Sequence, residues 1–468
     1  MNIPSVKFII IIYELKNFII VLRRKTYDKL LEWKKRDHKP LLIKGQRQVG
    51  KTFIVREFAK NYSNYIEIDF RSDVYAREAF SGNLDADSII HALELLHPEF
   101  NFEPQSTLIL FDEIQDCPRA YSSLKYFAQD GRYDVIASGS LLGITLHGNG
   151  KEKQESSIPV GYVEHLTMYS LDFEEFLWAK GIKQEHIDEL KKYIHEKKKI
   201  PEIMNSVMTS HFRDYMIIGG MPEAVSKYLD TKMLNDAILI QNNILEDVLA
   251  DINKYNSASD ANKTTECFRS IPSQLAKSNK KFMYSAVDGG GSRNSAQKYS
   301  ENLLWIKNAG YGNFCYKVLS VESPLSARED RSNFKVYFSD TGLLMNMYGP
   351  TVRRNLAIEG EGCNMGAIAE NIVAECIMKC GMVPRYYSKN QSENRMELDF
   401  VMEFGTELTV IEVKSGKKRE SPSLSKVSSV FRIDRKVMFE NTNIHISEDG
   451  VEHYPLYAAA FIDVMIQR

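Results

Sequence analysis

The stretch Gly45-Gln46-Arg47-Gln48-Val49-Gly50-Lys51-Thr52 constrains this chain more than any other. It fits the pattern G-x-x-x-x-G-K-[ST]. An apolar run, Pro40 to Lys44, leads into it, and Thr52 to Tyr62 leads out with helical character. The expected order is therefore strand, glycine loop, helix. Glycines let successive backbone N–H groups turn to one side and cradle phosphate oxygens. The helix aims its positive N-terminal end at the same anion. In that geometry Lys51 reaches the outer phosphates and the Thr52 hydroxyl holds Mg²⁺. Gly45, Gln46, Arg47, Gln48, Val49, Gly50, Lys51 and Thr52 are accordingly read as a P-loop for ATP with Mg²⁺.

A second element stands at a fitting distance. Leu108-Ile109-Leu110-Phe111 is fully apolar and ends in Asp112-Glu113, the mark of a strand inside a parallel sheet. An isolated Asp-Glu pair more often just ends a strand in solvent. Following a P-loop, Asp112 is expected in the Mg²⁺ shell and Glu113 as the group that orients the attacking water. Val135-Ile136-Ala137 is a further strand, ending in Ser138-Gly139-Ser140. Either Ser138 or Ser140 could sense the terminal phosphate, and a plain turn is the competing reading. Helix-like and strand-like runs alternate from about 22 to 145, which implies a doubly wound α/β domain.

The rest of the chain divides by pattern. With 468 residues, two to four domains are expected. Hydrophobic residues at 43% supply several cores, and the formal net charge of −2 excludes a global field for nucleic acid or membrane. Six cysteines in so long a chain argue against a disulfide framework, so buried thiols and a cytoplasmic location are expected. Residues 8 to 21 are apolar but broken by Glu14, Lys16 and Asn17, too short for a spanning helix. An amphipathic anchor, an extra structural segment and a start placed too early remain open, and the last is favoured. The expected organisation is an uncertain extension (1–21), a P-loop ATPase domain (22–180), a helical region (181–262) broken by Gly219-Gly220-Met221-Pro222, a winged-helix-like region (263–345) and a C-terminal α/β unit (346–468). Segment 263–335 carries twelve Lys and Arg against six Asp and Glu. Lys277, Lys280, Lys281, Arg293 and Lys298 are its candidate phosphate contacts for nucleic acid, with a solvated basic face or a packing module as alternatives.

In the C-terminal unit, Met396 to Met402 alternates, with Leu398, Phe400 and Met402 on one face and Glu397, Asp399 and Val401 on the other. Thr409 to Lys414 is a second strand on which Glu412 and Lys414 share a face. The short link between them permits an antiparallel pair that brings Asp399 beside Glu412. Gly366 to Met378 reads as a helix carrying Glu370.

Taken together, these stretches resemble the prokaryotic ATPases with an AAA-type N-terminal domain and a C-terminal domain of unknown function of the DUF4143 type. The matching residues are Leu42 to Thr52, Phe111 to Gln115, Ser138 to Ser140, Pro159 to Gly161, Leu171 to Leu177, Gly219 to Glu223, Phe338 to Leu344 and Ile411 to Ser415. Relatives usually carry Arg after Pro-Val-Gly; Tyr162 stands here, which bears on turnover more than on binding. The resemblance implies action between subunits of a homo-oligomer; the short, interrupted run at 8 to 21 implies no transmembrane anchor. Asp399, Glu412 and Lys414, with Glu370 upstream, resemble the PD-(D/E)xK restriction-endonuclease-like core. That likeness implies a second divalent metal on Glu370, Asp399 and Glu412, with Lys414 activating water. Three functions compete: an ATPase controlling a nucleic-acid site, a nucleotide-gated module that grips DNA or protein without cutting, and a membrane-associated ATPase using residues 8 to 21.

Overall fold

The computed structural model describes residues 22–140, 159–289, 295–357, 365–389, 395–416 and 421–465. The first sheet holds five parallel strands: β1 (Leu41–Lys44), β2 (Asn64–Asp69), β3 (Thr107–Asp112), β4 (Asp134–Gly139) and β5 (Glu164–Thr167), in the order β2-β3-β4-β1-β5. Helices α1 (Lys25–Lys35), α2 (Lys51–Ala59), α3 (Ala86–Leu96) and α4 (Pro118–Asp130) cover both faces. That is why Leu108 to Phe111 of β3 are all apolar: every residue of the strand is buried. One face packs Ile54, Val55 and Phe58 of α2, the other Ile89 and Leu93 of α3 and Leu124 and Phe127 of α4.

A helical region follows: α5 (Phe173–Ala179), α6 (Gln184–His195), α7 (Glu202–Ile218), α8 (Pro222–Thr231), α9 (Leu234–Tyr255), α10 (Ala258–Leu275) and α11 (Ser295–Asn308). Asp172 starts α5 with a reciprocal capping box, its carboxylate accepting from Glu175 N while Glu175 accepts from Asp172 N. The break at Gly219–Pro222 separates α7 from α8, because proline fits the first turn of α8 and cannot sit deeper in it.

The second sheet is mixed and has eight strands. They are β6 (Gly312–Val318), β7 (Glu329–Phe338), β8 (Arg385–Lys389), β9 (Met396–Phe404), β10 (Glu407–Val413), β11 (Arg435–Glu440), β12 (His445–Ile446) and β13 (Val451–Pro455), ordered β12-β13-β11-β10-β9-β8-β6-β7. Helices α12 (Thr341–Tyr348) and α13 (Pro350–Ala357) precede α14 (Met365–Lys379), which packs on one face; α15 (Pro422–Val430) packs on the other. Strands β6 and β7 lie in the segment read as winged-helix-like, yet they pair with each other and β6 pairs with β8. The sheet therefore runs across residue 345, where the sequence pattern set a domain boundary.

A buried polar junction ties the parts together. Lys379 Nζ on α14 donates to Leu171 O (2.8 Å), Ser170 Oγ (2.9 Å), Tyr215 Oη (2.9 Å) and Glu375 Oε1 (2.6 Å). Asp340 accepts from Gly220 N (2.8 Å) and Ser170 Oγ (2.9 Å). No described helix is long and apolar enough to cross a membrane. Among the described residues the thiols of Cys117, Cys267, Cys315, Cys376 and Cys380 are free; Cys363, Arg293, residues 1 to 21 and most of the 145–160 loop lie outside those residues.

Candidate functional site

The glycine loop is held by its neighbours as much as by its own sequence. A Cβ on Gly45 would lie 2.1 Å from Met168 O, so only glycine lets the loop pass the end of β5. Gly50 has φ +92°, a left-handed conformation that favours glycine, and directly precedes α2. Arg24, 5% exposed, donates to Val49 O at 2.9 Å and Tyr169 O at 2.7 Å and pairs with Glu175 at 3.1 Å.

Lys51 Nζ donates to Gly45 O at 2.9 Å and Gln46 O at 3.0 Å. Burial pulls its pKa down to about 8, only partly opposed by Glu113 and Asp112. A buried ammonium satisfied only by two neutral carbonyls fits an anion such as a phosphate chain. Thr52 Oγ1 donates to Asp112 Oδ2 at 2.7 Å, and Ser138 Oγ donates to Asp112 Oδ1. A hydroxyl and a carboxylate side by side are the hard oxygen donors that Mg²⁺ takes. Glu113 sits one residue past β3 with φ +49°; its carboxylate accepts from Gln115 and, at 3.4 Å, from Ser140 Oγ. Burial raises the Glu113 pKa, a shift that the Gln115 bond, Lys51 and Arg47 only partly reverse. Ser138 and Ser140 thus orient the two acids in this structure.

Three loop side chains face residues far along the chain. Arg47 is ion-paired with Asp251, and Gln48 Nε2 donates to Asp247 Oδ2 at 2.7 Å, both on α9. Gln46 Oε1 accepts from Ser339 Oγ at 2.9 Å, just past β7, and Gln46 Nε2 lies 3.5 Å from Met221 Sδ. Sequence reasoning missed Arg24, Asp247, Asp251 and Ser339. The pointers were the stretch Phe338 to Leu344, which contains Ser339, and the break at Gly219–Pro222, which puts Met221 over the loop. Tyr162 follows a turn closed by its N–H on Pro159 O (3.2 Å), with Lys125 Nζ 5.5 Å from its ring centre.

The C-terminal carboxylates are brought close but not into one cage. β9 and β10 are antiparallel, and Asp399 Oδ2 accepts from Val413 N at 3.0 Å. Lys414 Nζ donates to Glu412 Oε1 at 2.5 Å, while the buried Glu412 Oε2 has no hydrogen-bond partner. Burial, Glu370 and Glu412 together push the Asp399 carboxyl well up. Burial likewise raises Glu412, with Lys414 partly opposing. Glu370 is different. Lys280 Nζ lies 2.6 Å from its Oε1, the fully buried Lys335 lies 3.5 Å from its Oε2, and Tyr337 Oη donates at 3.1 Å. Burial alone would raise Glu370, but the two lysines outweigh it and hold the carboxyl low. Glu370, Asp399 and Glu412 do not bring three donor atoms within 4.8 Å of one another. The orphaned Glu412 oxygen suits a metal; Glu370, already neutralised, does not. Lys280 and Lys335, counted in the basic segment, point inward rather than to solvent.

One expectation fails locally. Arg385 pairs with Val401 but Tyr387 with Leu398, so β9 has an extra residue between them. Leu398 and Val401 consequently share one core and Phe400 and Met402 another, not the strict alternation expected, because a β-bulge inserts a residue into the period of two.

The comparisons with known proteins agree with this architecture. A profile described as AAA domain matches residues 37–177, one for a domain of unknown function (DUF4143) matches 365–458, and another (DUF8612) matches 209–353. The chain carries an AAA-type P-loop ATPase domain on its N-terminal side. It carries a DUF4143 domain on its C-terminal side. Among solved structures, a Walker-type ATPase of Pyrococcus abyssi is similar with a TM-score of 0.41 at 14% identity, over 70% of this chain and 96% of that one. The Thermotoga maritima RuvB Holliday junction branch migration motor gives 0.26 at 12%, over 65% and 91%. No curated protein matches it.

Proposed function

We propose that the chain is a Mg²⁺-dependent ATPase whose nucleotide state is passed to a C-terminal half that binds nucleic acid or a protein partner. The carrying observation is the contact between the P-loop and the distant chain: Arg47 with Asp251, Gln48 with Asp247 and Gln46 with Ser339. A loop that shifts on a phosphate must disturb these contacts. The backbone of Gly45 to Gly50 and the Lys51 ammonium bind the phosphates, and Thr52 and Asp112 hold the metal. Bound Mg²⁺ neutralises charge developing on the transferred phosphoryl group. Glu113 orients the attacking water, held by Gln115 and Ser140. Ser138 fixes the Asp112 carboxylate.

The C-terminal unit runs α14, β8, β9, β10, α15, β11, with β8, β9 and β10 antiparallel in turn and β11 parallel to β10. This order supports the restriction-endonuclease-like reading, with Asp399 within β9 and Glu412 and Lys414 at the end of the adjoining β10. The reading of this half as a binding module without cleavage is favoured by Lys280 and Lys335, which occupy the charge of Glu370. The deciding experiment incubates plasmid and single-stranded DNA with Mg²⁺ or Mn²⁺, with and without ATP, and follows ATP consumption beside Lys51→Ala and Lys414→Ala. Hydrolysis lost only in Lys51→Ala supports the ATPase reading with a binding C-terminal half. Cleavage lost in Lys414→Ala replaces that half with a nuclease. Tight ATP binding by Lys51→Ala removes the site assignment.

A further inference from the structure

The far edge of the second sheet holds a group of donors that the nucleotide site does not use. Glu440 ends β11, His453 lies on β13 and His445 on β12. One donor atom from each lies within 4.8 Å of the other two, the one such group of three His, Cys, Asp or Glu residues among those described. The register explains the meeting. Met438 pairs with both Glu412 and His453, and His453 pairs with His445, so one row crosses four strands. At roughly 4.8 Å per strand, His453 stands about 10 Å and His445 about 14 Å from Glu412, a place apart from the carboxylates there.

Two independent features prepare these side chains for a cation. Glu440 is 2% exposed, and among the described residues no lysine or arginine pairs with it; His453 Nδ1, at 2.7 Å, is its partner. A buried carboxylate left with a single imidazole lacks a full counter-charge. His445 is also pre-set. His445 Nδ1 lies 3.1 Å from Asn443 O, a group that can only accept, so Nδ1 carries the proton and Nε2 keeps its lone pair. A backbone carbonyl behind a ligating imidazole is the usual arrangement around protein-bound metals. The loop is fixed in turn, since Asn443 bonds Ile200 through both N–H (2.9 Å) and C=O (2.8 Å). The two rings lie nearly parallel, 4.2 Å apart.

We propose that Glu440, His445 and His453 form a divalent transition-metal site, of the two-imidazole, one-carboxylate kind that suits Zn²⁺ and leaves a fourth position for water. Bound there, the ion gives Glu440 its counter-charge and clips the two-residue edge strand β12 onto β13. Mg²⁺, which prefers an all-oxygen octahedron, does not compete.

The test uses the full chain, stripped with chelator and equilibrated without nucleotide against Zn²⁺, or Co²⁺ as a coloured substitute. The expected result is one retained equivalent, unaffected by excess Mg²⁺, with the visible Co²⁺ bands of a low-coordinate nitrogen–oxygen site and no thiolate charge-transfer band. His445→Ala removes an exposed ligand on the edge strand and leaves the core packing alone. Its affinity should fall at least as far as the roughly 10–100-fold lost when only a supporting group is removed. His453→Ala should do the same, with metal-free melting checked to confirm folding. Unchanged metal content in both variants, or a thiolate band in the Co²⁺ spectrum, would overturn the proposal.

Discussion

Replacing Lys51 by methionine should move stability and binding in opposite directions. The side chain is 6% exposed, and burial holds its pKa at about 8 against an ordinary 10.5. At 1.36 kcal/mol per pH unit, keeping Lys51 charged costs the ligand-free fold about 3 kcal/mol at pH 7. Methionine removes that cost and gives up the bonds to Gly45 O and Gln46 O, about 1 kcal/mol each. The net expectation is a gain of about 1 kcal/mol, a rise in Tm of about 2–4 °C for a domain of this size. The sign with pH follows from the folded pKa lying below the unfolded one. The penalty is complete below about pH 8, fades up to 10.5 and is absent above it. Wild type should therefore gain on Lys51→Met as pH rises through that window. Thermal melts of both proteins without nucleotide, at pH 7 and pH 10, read the two effects, and fluorescent ATP binding reads the loss of the site. A variant that melts below wild type at pH 7, or by a gap that does not change with pH, would refute the burial argument.

Three further outcomes are expected. Glu113→Gln should keep ATP binding while kcat falls by about 10²-fold or more, measured by phosphate release; full turnover would remove Glu113 from its role. Arg47→Ala leaves Asp251, 3% exposed, without its cation, and should lower stability by about 3–5 kcal/mol; adding Asp251→Asn should recover part of the loss in a denaturation experiment. Asp399→Asn should raise Tm at pH 7, because burial, Glu370 and Glu412 hold the Asp399 pKa above its unfolded value. Its advantage is expected to close as pH falls through the unfolded carboxyl range near 4, and an equal advantage at pH 4 and pH 7 would count against it.

How much could be read from the sequence depended on how local each signal was. The loop from Gly45 to Thr52 and the strand ending at Asp112 were legible because glycine conformation and an apolar run are properties of adjacent residues. The antiparallel turn between β9 and β10 was legible for the same reason. Lys280 and Lys335 were not. Their charge marked a basic segment, but whether a lysine faces solvent or Glu370 is decided by a partner up to 90 residues away. The bulge in β9 is set by pairing with β8, so Leu398 could not be assigned to its core from spacing alone. Asp251 looks ordinary in sequence and Ser339 stood only as one residue of a matching stretch; the closing of the chain over the P-loop gives both their place.

That closing has a consequence for the order in which the protein acquires its activity during synthesis. The P-loop is complete in sequence by Thr52, but its surroundings are supplied by Met168, Met221, Asp247, Asp251 and Ser339. A nascent chain that has emerged only as far as β5 holds the phosphate-binding backbone and Arg24, but not Met221, Asp247, Asp251 or Ser339. The loop therefore gains its full set of contacts only once the chain just past β7 has left the ribosome.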